Sequence, residues 1–263
     1  MHHRISILLT CLLFSTTLLA QTPVRKQIGV TGAWKNTLFA RGMSSAVYSI
    51  ESSGALTTTN PETTAWVRIG SQSYINTAHL FAGSKNIFTI ENDGSLYKTN
   101  PATGDWNRLG DARAYAGAVT GVITSGYLYT IAATGALVVT NVNTGIKQTL
   151  GKTDFKTTRF MFDANGKLYS IDTKGNLWET SQADGSTKQI GATGAWKQST
   201  AGANLWGKLY TAESDGSLYV TELSTGVRTK LAATGYAQTK MMLATAGKIY
   251  VIDTAGTMIE LTL

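Results

Sequence analysis

A glycine followed two residues later by Leu or Met returns at Gly54, Gly94, Gly135, Gly175, Gly216 and Gly256, at alternating intervals of 40 and 41 residues. No other feature limits the fold as much. A chain made of six copies of one such unit must repeat one supersecondary module, and each module must bury its apolar faces against its neighbours. Ahead of each glycine lies an apolar-aromatic string: VYSI from Val47, IFTI from Ile87, LYTI from Leu128, LYSI from Leu168, LYTA from Leu209 and IYVI from Ile249. Tyr or Phe takes the second place every time.

Each unit divides into four short strands, a to d, with β-branched and aromatic residues inside them and Gly, Asn, Asp or Ser at the joins. Examples are RFMF from Arg159 for a, LYSI from Leu168 for b, LYKTN from Leu96 for c and WVRIG from Trp66 for d. No helical period appears beyond the first twenty residues. Strand b is apolar on both faces of its pleat, since Leu168 and Ile171 point opposite ways, so it needs cover on both sides. Six small sheets stacked face to face around an axis provide that cover. The expected fold is therefore all-β: a six-bladed β-propeller with four-stranded blades of about 40 residues.

The chain ends support a closed ring. The sixth copy stops at Leu263 after its strand c, while VRKQIG from Val24 matches the d strands VRTKLA at Val227 and STKQIG at Ser186. Residues 24 to 28 are expected to complete the last blade and to hide an edge that would otherwise invite aggregation. A pair of β-trefoils also needs six such units, but it predicts a linker near mid-chain, and the period runs through residues 140 to 150 without a break. An open solenoid does not require a displaced N-terminal strand. Neither a Trp-Asp ending nor a double-glycine signature recurs, which disfavours WD40 and kelch propellers.

The first twenty residues, Met1 to Ala20, read as a secretory signal peptide: a basic start at Arg4, a short apolar stretch and a cleavage point after Ala20. A lipoprotein signal ending at Cys11 is the alternative. Residues 21–263 then form a single exported domain, secreted or periplasmic. Removing Arg4 lowers the formal charge from +7 to +6. Cys11 and two of the three histidines leave with the signal. The mature chain has no thiol, so no disulfide or cysteine ligand is expected, and no cofactor or metal.

Chemistry is sparse in what remains. His79, in THLFA, has no counterpart in other units and reads as structural. No glycine-flanked nucleophilic serine occurs, and the 16 acidic residues show no clustering by spacing, so enzyme activity is not expected. Many cations fall on d strands, at Arg25, Lys26, Arg68, Arg108, Lys147, Lys188, Arg228 and Lys230. They are dispersed in a basic rim rather than gathered in a nucleic-acid stripe.

In a propeller of this strand order the d-to-a connections and b-to-c turns share one face. Each connection carries one aromatic, at Trp34, Tyr74, Tyr115, Phe155, Trp196 and Tyr236. Such rings can stack on the C–H side of a sugar, or they can wedge between blades and pack. On the same face Asp93 and Asp215 offer carboxylates to hydroxyl groups, though Asp-Gly is also what a tight hairpin demands.

The string IG-VTGAW-KNTLFA, followed by VYSIESSGAL and TNPETTAW, resembles the units of the tachylectin-2-like propellers, which are akin in style to the tectonin lectins. The likeness runs through essentially all of the mature chain. It implies sugar binding in shallow pockets repeated around the ring, with N-acetylated or similar sugars as ligands and no catalysis. The two TGAWK turns, at Trp34 and Trp196, are then the best positions, followed by Tyr74, Tyr115 and Tyr236. Repeated weak sites on one rigid face gain from avidity on a polymer or cell surface. The expected protein is a monomeric lectin for glycans or cell-surface polysaccharide, without nucleic-acid binding or membrane insertion. The alternative is a structural or protein-binding propeller, and a propeller hydrolase is a third reading.

Overall fold

The computed structural model describes residues 22–263. The signal-peptide reading falls on residues outside that range. Strand β1 (Val24–Ile28) is followed by β2 (Thr37–Met43), β3 (Ala46–Glu51), β4 (Leu56–Thr59) and β5 (Trp66–Arg68), the a to d strands of blade 1. Blade 2 holds β6 (Thr77–Ala82), β7 (Ile87–Glu91), β8 (Leu96–Thr99) and β9 (Trp106–Arg108). Blade 3 holds β10 (Thr120–Thr124), β11 (Tyr127–Ile131), β12 (Leu137–Asn141) and β13 (Lys147–Leu150). Blade 4 holds β14 (Thr158–Ala164), β15 (Lys167–Asp172), β16 (Leu177–Thr180) and β17 (Thr187–Ile190). Blade 5 holds β18 (Ser199–Leu205), β19 (Lys208–Glu213), β20 (Leu218–Glu222) and β21 (Arg228–Ala232). Blade 6 holds β22 (Thr239–Thr245), β23 (Lys248–Asp253) and β24 (Met258–Thr262).

Every sheet is an antiparallel meander of four strands, and the fourth strand of blade 6 is β1, paired with β24 from Val24↔Thr262 to Ile28↔Met258. The ring closes as the matching d-type sequences require. The a strands are innermost and touch each other around the axis, and the d strands lie outermost. This is a six-bladed β-propeller, with a core divided among the blade junctions. Ile50, Leu56, Leu80 and Ile87, for example, meet between blades 1 and 2. The b strands are buried on both faces, β7 along its whole length.

One bond recurs at all six junctions. The backbone N–H of the connection aromatic donates to the carbonyl of the preceding blade's turn glycine: Tyr74 to Gly54, Tyr115 to Gly94, Phe155 to Gly135, Trp196 to Gly175, Tyr236 to Gly216 and Trp34 to Gly256, at 2.8 to 3.0 Å. That approach explains the period seen in the sequence. At Gly94 (φ +86°) an added Cβ would fall 2.2 Å from the backbone nitrogen of Ala116, so a side chain would push the next blade away.

Five blades share a further irregularity. The a strands of blades 1, 2, 4, 5 and 6 begin with a bulge that sets a Thr or Ser opposite an acid: Thr37↔Glu51, Thr77↔Glu91, Thr158↔Asp172, Ser199↔Glu213 and Thr239↔Asp253. In blade 3 the ladder begins only at Thr120↔Ile131, past that place. Its residues at those two places are Ala118 and Ala132.

Candidate functional site

The aromatics on the face formed by the d-to-a connections and b-to-c turns were read either as sugar plates or as wedges between blades. The rings lie between blades. Trp34 is 4%, Tyr74 0%, Tyr115 7%, Phe155 6%, Trp196 0% and Tyr236 2% exposed. Their polar tips face inward as well: Tyr74 Oη donates to Thr99 at 3.3 Å, Tyr115 Oη lies 2.7 Å from the Thr140 hydroxyl, and Trp196 Nε1 donates to Thr221 at 3.2 Å. Rings buried this deeply have no free face to stack on a sugar, so the stacking role assigned to Trp34, Trp196, Tyr74, Tyr115 and Tyr236 loses its geometric basis. A ring with apolar faces and one polar tip fits a buried junction, where it removes some 150–250 Å² from water.

Asp93 and Asp215 are exposed, as the turn sequences suggested. Each accepts the N–H of the residue two places on, Ser95 and Ser217, both at 2.8 Å. Those backbone hydrogen bonds hold both carboxyls below the usual aspartate range. Both side chains close the hairpins they sit in.

The acids do follow a spacing, one that sequence reading overlooked. Glu51, Glu91, Asp172, Glu213 and Asp253 each stand three residues before a turn glycine, and the first four are buried. The hydroxyl at the start of strand a donates to the acid: Thr37 to Glu51 at 2.9 Å, Thr77 to Glu91 at 3.0 Å and Ser199 to Glu213 at 2.8 Å. Burial pushes the Glu91 carboxyl above its ordinary range. Burial acts the same way on Asp172, but donors on Trp178, Asn176 and Lys174 outweigh it and hold that carboxyl low.

Blade 5 carries the fullest version of this network. Arg228 leaves strand β21, crosses the sheet face 3.9 Å above the Tyr219 ring and pairs with Glu213. Its Nη2 also reaches Thr211, and its Nη1 donates to the carbonyl of Ala195, next to Trp196. The residue expected on a basic rim is thus turned inward. Arg25 over Tyr236, at 5.0 Å, and Lys147 over Tyr115, at 5.4 Å, lean the same way over their junction rings.

Blade 3 keeps the outline of this network and lacks its centre. Ala132 stands for Glu213, Ala118 for Ser199, Val138 for Tyr219 and Lys147 for Arg228. A pocket of about 440 Å³ opens there, with Tyr115, Thr130 and Thr149 among its walls. The only histidine among the described residues stands behind it. His79 Nε2 donates to the Ala118 carbonyl at 2.8 Å, and the ring stacks near Phe81. The structural role expected of His79 matches that placement.

The inner strands enclose an axial channel of about 490 Å³. Arg41, Arg159, Lys240 and Asp163 lie along it among Phe, Met, Ala and Gly. All three cations are engaged with backbone: Arg41 donates to the carbonyl of Ala40, Arg159 to those of Asp172, Ser199 and Trp196, and Lys240 to that of Thr37. Burial lowers the pKa of Arg41 and raises that of Asp163. No cluster of three or more His, Cys, Asp or Glu capable of holding a metal occurs among the described residues.

The opposite face, carrying the a-to-b turns, holds the most exposed aromatic. Trp206 is 75% exposed at the turn between β18 and β19. Its φ is +50° and that of Gly207 is +72°. Two consecutive positive φ values are those of a type I′ hairpin, whose first position favours Asn, Asp or Gly. The matching places hold Ser125, Asn165 and Ala246, so a bulky indole here is out of pattern. The ring leans on the next blade, with Cζ2 3.2 Å from where a Cβ on Gly247 would stand, and the Asn165 amide flanks Gly207 on the other side. The sequence signal was LWGKLY where other copies read NGKLY or AGKIY.

No protein-family model matches the chain, and no curated protein matches it. Solved structures share its fold at low identity. A protein of unknown function from Bacteroides thetaiotaomicron VPI-5482 is 10% identical, with a TM-score of 0.66, covering 90% of this chain and 75% of that one. Virginiamycin B lyase from Staphylococcus aureus is 11% identical, with a TM-score of 0.61, over 86% and 80%. BamB from Moraxella catarrhalis is 14% identical, with a TM-score of 0.52, over 85% and 71%. Identities this low establish the shared propeller fold and nothing more specific.

Proposed function

We propose that this is an exported, non-catalytic, carbohydrate-binding propeller whose sugar platform is Trp206. The observation that carries the reading is a ring 75% exposed on a left-handed turn that its residue type disfavours. Backbone strain of this kind costs roughly 1–3 kcal/mol and persists where the side chain is wanted for its position. A flat, exposed apolar ring suits the C–H face of a sugar. The tachylectin-2-like repeat supports the ligand class.

Its expected set of repeated aromatic sites is replaced by one platform, because the counterparts of Trp206 are small or polar. The absence of catalysis in this reading rests on the buried acids. Those of blades 1, 2, 4 and 5 are held by donors of their own blade, which leaves them poorly placed to serve a substrate.

A broad glycan array probed with the wild type and with Trp206→Gly tests the reading. Selective binding that disappears in a folded Trp206→Gly protein is the expected result. Binding that survives this change moves the site elsewhere. Failure to bind any glycan overturns the carbohydrate assignment and makes Trp206 an anchor for a protein partner.

A further inference from the structure

Five blades fill the space between strand a and the b-to-c turn with an acid; blade 3 leaves it open. The comparison with blade 5 is residue for residue. Arg228 Nη1 donates to the Ala195 carbonyl, one residue before Trp196; Lys147 Nζ donates to the Ala114 carbonyl, one residue before Tyr115, at 3.1 Å. Thr211 receives Arg228 Nη2, and Thr130 stands at its place in blade 3. In blade 1 the hydroxyl at the same place in strand b, that of Ser49, donates to Glu51 at 2.9 Å. Blade 3 thus retains a cation and this strand-b hydroxyl, while the carboxylate and the hydroxyl that starts strand a are missing. No ion pair reaches Lys147 among the described residues. Where Tyr219 and Ser199 stand in blade 5, Val138 and Ala118 leave apolar wall.

We infer that the blade 3 pocket binds a small organic acid, whose carboxylate takes up against Lys147 the position that Glu213 takes against Arg228, and against Thr130 the position that Glu51 takes against Ser49, with its aliphatic or aromatic body against Ala118, Ala132 and Val138. A volume of about 440 Å³ suits a ligand of this size. The charge-assisted bond to Lys147 selects the anion, and the apolar walls select an acid with a hydrophobic body over acetate or formate. Lys147 is exposed, so screening keeps the affinity modest. The pocket lies on the face opposite Trp206 and is independent of the carbohydrate reading.

The test is titration of the purified protein with benzoate and with hexanoate, followed by calorimetry and by backbone amide shifts, with benzamide and hexanamide as neutral isosteres. The expected result is saturable binding of the acids that shifts the amides of Thr130, Ala132 and Lys147, with amides at least about tenfold weaker. Ala132→Glu supplies in cis the acid that the other blades carry, and should abolish binding while the protein stays folded. Lys147→Met should weaken the acids about tenfold while Lys147→Arg restores them, and both lie at an exposed position where folding is not at risk. Equal affinity for acid and amide, unchanged binding in folded Ala132→Glu and Lys147→Met, or no shift up to about 10 mM ligand would each overturn the assignment.

Discussion

Blades 3 and 5 have the same strands, the same turn glycine and the same ring-to-glycine hydrogen bond, yet their junction faces differ in kind. In blade 5 a buried acid, an arginine and two aromatic rings interlock, and the face is closed. In blade 3 alanines replace the acid and its hydroxyl partner, valine replaces tyrosine, and a pocket appears. The ladder between strands a and b also starts later in blade 3, at Thr120↔Ile131. A repeat protein is therefore informative where one copy departs from the rest: the shared residues maintain the ring, and the departures mark where the ring has been freed for something else. Trp206 is a departure of the second sort, an added group rather than a removed one.

Experiments that break or sharpen this contrast can be ordered by size. Deleting residues 24–28 should have the largest effect, because it strips β1 from β24 and leaves blade 6 with an open edge. Thermal unfolding should lose its single cooperative transition, and the protein should aggregate. Trp196→Ala should follow, at about 3–5 kcal/mol in urea unfolding, since it empties a fully buried junction. Tyr115→Ala should cost less, because the adjoining pocket already leaves that junction loosely filled.

Glu213→Ala strands the half-buried Arg228 guanidinium and should cost about 3 kcal/mol, whereas Lys147→Met, at the matching place in blade 3, should stay within about 0.5 kcal/mol. Equal costs would show that the two faces are energetically alike. Trp206→Gly should raise stability by about 1 kcal/mol through relief of the positive φ, even as it removes glycan binding. A loss of stability instead would mean that the indole's packing on the Gly247 turn outweighs the strain.

The smallest effects concern pH, and their signs oppose each other. The raised Glu91 pKa means that folding favours its protonated form, so this group's stabilising contribution is complete at acid pH and is lost as pH rises through the folded value. Glu91→Gln should therefore be the more stable protein at neutral pH, with the gap closing toward acid. The depressed Asp172 pKa works in reverse, stabilising above the ordinary aspartate range and fading as pH falls through the folded value. Asp172→Asn should be less stable at neutral pH and approach wild type in acid. Denaturation midpoints collected across pH 3 to 8 check both, since that span brackets the ordinary carboxylate range.

The architecture was readable from residues alone. Six glycines at a constant interval, a strand apolar on both faces and a stray d-type strand at Val24 leave one closed arrangement, and β1 pairs with β24 in that arrangement. The single-residue roles were harder to read. Trp34 and Trp196 looked like sugar plates because a repeated aromatic in a glycine-rich turn has the same sequence signature whether its ring faces water or a neighbouring blade. The buried acids were overlooked because their partners, such as Thr37 for Glu51, lie fourteen residues away across a bulge. Arg228 looked like rim charge because a strand's period of two gives the face of a residue but not what covers that face.

Local spacing, strand alternation and turn glycines thus determined the number of blades, their strand order and the closure, since all three depend on backbone conformation and on short-range apolar pattern. Only the tertiary structure decided which rings are buried, which cation meets which acid, and where space remains. Those outcomes depend on the neighbouring blade, about 40 residues away in the chain but in direct contact in the ring.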